Sequence, residues 1–134
     1  MEKDFNVAPF KVGDWVLVGG KITKVSKNLI ESHATNIRDI ELSPDLLEDL
    51  GFTKWLGPCS DGTYAYVLFS SEDSLLSCNL ENRMMRLDDV SHNATSVRGL
   101  QHIVREYYRR FPHHDGEFKF LVRRINKYFT KMAK

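Results

Sequence analysis

SVRGLQHIVREYYRRFPHHDGEFKFLVRRINKYFTKMAK, residues 96–134, is the stretch whose spacing decides the fold. Val97, Leu100, Ile103, Val104, Tyr107, Tyr108 and Phe111 recur at intervals of three and four, so a helix turns them to one side. Pro112 ends that run, because it lacks the amide hydrogen that a helix interior needs. His113-His114-Asp115-Gly116 predicts a turn, after which Phe118, Leu121, Val122, Ile125, Tyr128, Phe129 and Met132 repeat the pattern. Two amphipathic helices are therefore expected at the C-terminal end.

The same stretch carries the charge asymmetry of the chain. Residues 96–134 hold 10 Lys/Arg against 3 Asp/Glu, whereas residues 1–95 hold 9 against 15, so the formal net charge of +1 is a balance between a basic tail and an acidic body. Arg98, Arg105, Arg109 and Arg110 on the first helix, with Arg123, Arg124, Lys127 and Lys131 on the second, form a cationic surface for phosphate or another anionic partner if the polar sides meet. A second outcome is equally physical: the cations complement the acidic body within the fold, or simply stand in water.

Upstream the period falls to two. Asp14-Trp15-Val16-Leu17-Val18 and Lys21-Ile22-Thr23-Lys24-Val25 flank Gly19-Gly20, and two glycines able to take positive φ predict a tight hairpin, the opening ribbon of a small bent sheet of SH3-like kind. Ile37–Leu42 alternates weakly as a strand. Ser43-Pro44-Asp45-Leu46-Leu47-Glu48-Asp49-Leu50-Gly51-Phe52 predicts a two-turn helix: Ser43 caps it, Pro44 opens it, and Gly51 ends it with Phe52 folded back over Leu47. Tyr64–Phe69, Ser74–Leu80 and Arg83–Leu87 predict a meander in which one of Met84 and Met85 points inward, and Asp88–Thr95 reads as a loop. The expectation is one α+β domain over residues 1–134: an N-terminal β-ribbon, a short central helix, an antiparallel meander and a basic helical subregion from 96 to 134.

Composition narrows the function classes. With 42% hydrophobic residues and 28% charged, the chain has the makings of a folded core. No apolar run approaches the 18 to 20 or so residues of a membrane span, and MEKDFNVAPFKVGDW has no apolar block of the secretory kind, which predicts a cytoplasmic protein. Cys59 in a turn and Cys78 in a strand lack basic neighbours in sequence and are expected to be reduced and unreactive. His102, His113, His114 and Asp115 match neither HExxH nor a zinc-finger spacing, and His33 and His92 lie in polar stretches, so no metal is expected. Glu48 with Asp49, Glu72 with Asp73, and Asp88 with Asp89 sit where charge meets water, and no nucleophile or phosphate loop accompanies them. No catalytic residue and no cofactor is predicted. Trp15, among valines, is expected in the core, while Trp55 at a rim, together with Phe52, is the candidate apolar interaction patch.

Four segments also resemble a group of small uncharacterised Bacteroidetes proteins that are often associated with prophage-like or mobile regions. They are Val12-Gly13-Asp14-Trp15-Val16 through Gly20-Lys21 and Lys24-Val25, then Asn36 through Leu50-Gly51-Phe52, Tyr64-Ala65-Tyr66, and Val97-Arg98-Gly99-Leu100-Gln101. The resemblance spans about residues 10 to 111, with Arg98 where the group has a histidine, and it implies a shared fold rather than an activity. The expected role is that of a non-catalytic interaction or accessory protein, of mobile-element origin, with an unidentified protein partner. A nucleic-acid-binding protein that meets DNA or RNA through the basic helices is the alternative, and a small hydrolase the third.

Overall fold

Gly19 and Gly20 take φ of +57° and +83°, the pair of left-handed conformations that a type I′ turn needs. They join β1 (Trp15–Val18) to β2 (Lys21–Lys24), with Val18 opposite Lys21 and Trp15 opposite Lys24. The computed structural model describes residues 10–32, 35–88, 90–92 and 95–133; of the residues read above, 1–9 of the N-terminal stretch, His33, Asp89 and 93–94 of the expected loop, and Lys134 lie outside them. A second antiparallel neighbour, β3 (Ile37–Asp39), makes the ribbon a three-stranded sheet of order β2-β1-β3. This strand stops at Asp39 rather than Leu42 because the chain then runs beside the start of the first C-terminal helix: Leu42 N–H donates to Thr95 O at 2.9 Å and Val97 N–H to Ile40 O at 2.8 Å. Between β2 and β3 lies α1 (Lys27–Glu31), capped by Ser26 Oγ, which accepts from Leu29 N–H at 3.2 Å. None of its residues is buried, so no apolar period announced it.

The central helix α2 (Pro44–Asp49) follows its local signals closely. Ser43 Oγ accepts from Leu46 N–H at 3.2 Å, and Pro44 occupies the first turn, where its missing N–H costs nothing. Gly51, at φ +100°, closes the other end: Gly51 N–H reaches Glu48 O and Phe52 N–H reaches Leu47 O, the two bonds of a Schellman cap. Leu46, Leu47, Leu50 and Phe52 are all buried, and burial of each such side chain stabilises the fold by about 1.5–3 kcal/mol. Packing of this kind holds a helix too short to persist alone.

The meander is a five-stranded antiparallel sheet of order β4-β5-β6-β7-β8. Its strands are β4 (Thr53–Lys54), β5 (Tyr66–Phe69), β6 (Leu75–Asn79), β7 (Met84–Leu87) and β8 (Val90–His92). Met85 is buried completely and Met84 only partly, as the alternation of a strand demands. β8 replaces part of the expected loop. Leu87 pairs with Val90, and Asp88, directly after Leu87, takes φ +52°, a conformation more often filled by Asn or Gly.

Two long helices complete the chain. α3 (Val97–Arg110) begins at Ser96, whose Oγ accepts from Gly99 N–H at 2.9 Å, and α4 (Lys119–Met132) follows a 3₁₀ turn at Pro112–His114. Trp15 of β1, Leu47 of α2, Leu76 and Met85 of the larger sheet, Ile103 of α3 and Phe129 of α4 belong to one continuous core. α3 is buried on more sides than its apolar stripe predicts, since Arg98, Gly99 and His102 are buried along with Val97, Leu100 and Ile103. On α4 the buried stripe is Leu121, Ile125 and Phe129; Val122 and Met132, expected within it, stand exposed.

Candidate interaction surface

The structure turns two of the four cations of α3, Arg98 and Arg105, against the rest of the fold. Arg98 is fully buried, with Nε 2.7 Å from Asp39 Oδ1 and Nη2 3.1 Å from Oδ2, and its guanidinium lies 4.6 Å from the centre of the Phe10 ring. A planar fork on a carboxylate is the geometry in which a buried arginine is tolerated. Arg105 Nη2 lies 2.6 Å from Asp14 Oδ1, and Arg109 pairs with Glu106 one turn earlier on α3. Arg110 is exposed, 5.8 Å from the Phe111 ring centre. On α4, Arg124 Nη1 donates to Leu50 O at 3.0 Å, satisfying a carbonyl at the end of α2, and stacks 5.0 Å from the Phe120 ring centre. Arg123, Lys127 and Lys131 are exposed and have no carboxylate partner among the described residues.

Asp14 anchors the junction between the smaller sheet and α3. It is wholly buried; Oδ2 accepts from Lys11 N–H at 2.9 Å and lies 3.1 Å from His102 Nε2. Burial pushes its carboxyl up, but the bond to His102, the Lys11 amide and the charge of Arg105 together hold it below the ordinary value. Gln101 clips the same edge, accepting from Trp15 N–H at 2.9 Å and donating to Gly13 O at 3.0 Å, while Trp15 Nε1 donates to Asn126 Oδ1 at 3.0 Å. Trp15 is core, as expected.

A second buried carboxylate was not singled out from sequence. Glu117 Oε1 accepts from Ser70 Oγ at 2.9 Å and Ser74 Oγ at 3.3 Å; Oε2 accepts from Tyr107 OH at 2.9 Å and from His114 Nδ1. Ser70 Oγ in turn accepts from Glu72 and Ser74 N–H, so it caps the β5–β6 turn, and Glu117 ties that turn to the α3–α4 connection. Burial moves the Tyr107 phenol up to about 12. A depression of about 590 Å³ lies outside this node, lined by polar groups including Glu72, His113, His114 and Lys119. All the hydroxyls of the node face Glu117 rather than His114, so its geometry is that of a structural clamp and not of an activated nucleophile.

The remaining chemical candidates are dispersed. His102 is buried against Asp14 and His113 is exposed on the 3₁₀ turn; among the described residues no three His, Cys, Asp or Glu side chains gather to hold a metal ion. Both cysteines are free thiols, and burial pushes Cys78 up to about 12, which keeps it protonated. Glu48 and Asp49 lie exposed on α2, and Glu72 and Asp73 on the β5–β6 turn.

One apolar surface stands open. Phe52 does not share it with Trp55: its amide is pinned to Leu47 O by the α2 cap, and its ring is 3% exposed in the core. Trp55, by contrast, is 49% exposed and Leu56 entirely so. They border a slot of about 440 Å³ lined also by Gly51, Thr53, Lys54, Val67, Leu68 and Phe69. Phe69 is half exposed and lies opposite Leu75 in the β5–β6 ladder, so the apolar surface continues across the sheet. The signal in sequence was the run Trp55-Leu56, apolar and outside any amphipathic period; Phe69 and Leu75 could be added only once the strand register was known.

Cations rim this slot. Lys54 lines it, with its Nζ 4.6 Å from the Tyr64 ring centre, and the Arg124 guanidinium sits so close over Gly51 that a β-carbon there would collide with it. At 3.6 residues per turn, Arg123, Arg124, Lys127 and Lys131 fall within an arc of about 100° on α4, opposite Leu121 and Ile125. Arg124 thus joins the cationic face of α4 to the slot.

No protein-family model matches the chain, and no curated protein and no solved structure is significantly similar to it. Among the described residues no helix is long and apolar enough to cross a membrane.

Proposed function

We propose that this is a non-catalytic interaction protein that docks a partner protein through the slot bounded by Trp55, Leu56 and Phe69. The observation that carries this reading is the fully exposed Leu56 beside a half-exposed Trp55 at a preformed apolar concavity. Contiguous exposed apolar surface of this kind marks interaction sites, and a tryptophan at its centre is the residue type that most often dominates binding. An accessory role also suits the prophage-associated group that the chain resembles over about residues 10 to 111.

The test is capture of a partner from the native host by the full chain and by Leu56→Ser and Trp55→Ala variants. Both side chains are exposed, so the variants should keep their thermal unfolding within about 0.5 kcal/mol of the parent. A partner held by the parent and released at least tenfold by Trp55→Ala, about 1.4 kcal/mol, is the expected result. Equal capture by all three proteins contradicts the reading.

A second reading rests on the exposed stripe Arg123, Lys127 and Lys131 and takes nucleic acid as partner. Three phosphate contacts set its scale: log affinity against log salt should have a slope near −3, at about −0.9 per contact on duplex. Arg123→Gln, Lys127→Gln and Lys131→Gln together should abolish such binding with the helical signal unchanged. Duplex or single-stranded probes that show no binding at low salt remove this reading.

A further inference from the structure

The edge of the larger sheet adds a second requirement to the slot, and with it the chemistry of the partner. Among the described residues β4 pairs only with β5, and Thr53, Lys54, Trp55 and Leu56 are all exposed along its open side. Trp55 N–H donates to Ala65 O at 2.8 Å, so Trp55 belongs to a hydrogen-bonded pair of the ladder. Lys54, one residue earlier, is opposite Tyr66 in a non-bonded pair, and its own N–H and C=O therefore point away from β5, toward the open edge. An unpaired strand edge beside an apolar concavity is what an extended peptide needs: the main chain supplies the hydrogen bonds and the concavity takes an alternate side chain.

Charge selects among the occupants of such an edge. Lys54 stands on β4 itself and Arg124 at the slot, with Arg123, Lys127 and Lys131 continuing along the same arc of α4. A second copy adding antiparallel at β4 brings Lys54 toward Lys54, a like-charge approach that opposes pairing. For an acidic segment, the charged side chain that lines the slot, Lys54, and the one over Gly51, Arg124, are both of attractive sign. Nucleic acid would also meet cations, but the concavity is lined by Leu56, Val67 and Leu68 as well as by aromatics, a lining that fits an aliphatic or aromatic side chain better than the plane of a base.

Building on the slot as the docking site, we propose that its occupant is an extended, acidic segment of a partner protein that adds to β4 as a sixth strand. One apolar side chain of the segment enters between Trp55 and Phe69, and its Asp or Glu residues face Lys54 and Arg124.

Selection of random displayed peptides on the immobilised full chain tests this whatever the identity of the partner. The enriched peptides should share a Leu, Phe or Trp anchor with an excess of Asp and Glu. A synthetic consensus peptide should bind at least tenfold more weakly to Trp55→Ala and to Lys54→Glu, about 1.4 kcal/mol each. Methylation of the peptide amides should abolish binding at one alternating set of positions and spare the other, because only every second amide of an added strand faces β4. Enrichment of peptides that need Trp55 but carry no acidic excess, or that tolerate methylation at every position, overturns the acidic-strand proposal while leaving the slot as docking site. Enriched peptides indifferent to both Trp55→Ala and Leu56→Ser overturn the slot as well. Concentration-dependent self-association lost in Leu56→Ser would make the occupant a second copy, and Trp55-dependent binding of a single-stranded RNA probe would make it nucleic acid; each result overturns the proposal.

Discussion

Asp39→Ala is expected to destabilise the protein by about 3 kcal/mol, the cost of removing one member of a buried, doubly hydrogen-bonded ion pair. Arg98 has no exposed surface, and Asp39 binds it through both carboxylate oxygens, so the alanine variant takes both of those bonds from a guanidinium buried between α3 and the smaller sheet. The expected shift in melting temperature is roughly 10 °C for a chain of this length. Asp39→Leu combined with Arg98→Met should recover most of the loss, since apolar side chains of similar volume remove the charge as well as the bond. A urea titration of the three variants decides the point. A loss below about 1 kcal/mol for Asp39→Ala would assign the pair the weight of an exposed ion pair, contrary to its burial.

Glu117→Ala should cost about 2 kcal/mol, because it removes the acceptor of Ser70, Tyr107 and His114 at once, although Tyr107 OH keeps Ser74 Oγ at 3.0 Å. The same residue shapes the response to acid. Burial pushes the Glu117 carboxyl up, yet the bonds from Tyr107, Ser70 and His114 and the charge of His114 outweigh it and hold the group below its ordinary value. Asp14 is lowered in the same sense. Unfolded carboxylates titrate near pH 4, so as pH falls the unfolded chain takes up these two protons first. The stabilisation from both groups is therefore complete above the ordinary carboxylate range and is lost as pH drops through their lowered folded values. Glu117→Gln keeps the shape without the charge and should flatten the fall in stability as pH drops through that range. An acid limb identical to that of the parent would remove Glu117 from this role.

These two sites show where reading the sequence succeeds and where it stops. α2 was legible because Ser43-Pro44 and Gly51-Phe52 carry its start and stop within a few residues. The Gly19-Gly20 hairpin was legible for the same reason. β8 was not, because its turn uses Asp88 in a conformation that glycine or asparagine usually signals. Asp39, which Arg98 binds, lies 59 residues away and Asp14, beside His102, lies 88 away, so no local spacing could pair them. Arg98 also sits outside the apolar stripe of α3, and its burial follows from the contacts that helix makes with both sheets. The cationic surface expected from charge alone is thereby divided: Arg98 and Arg105 meet buried carboxylates and Arg124 a carbonyl, while Arg109 and Arg110 stay exposed on α3 and Arg123, Lys127 and Lys131 on α4.

Part of the charge asymmetry of the chain thus closes the fold, through Arg98 and Arg105, and the proposed docking surface is the apolar slot with the β4 edge. Amide hydrogen exchange of the full chain, alone and with its captured partner, tests this most directly. The account predicts slowed exchange at Thr53–Leu56, above all at the outward amide of Lys54, with further protection at Val67–Phe69. Protection confined to residues 123–131 of α4, with β4 unchanged, would contradict it.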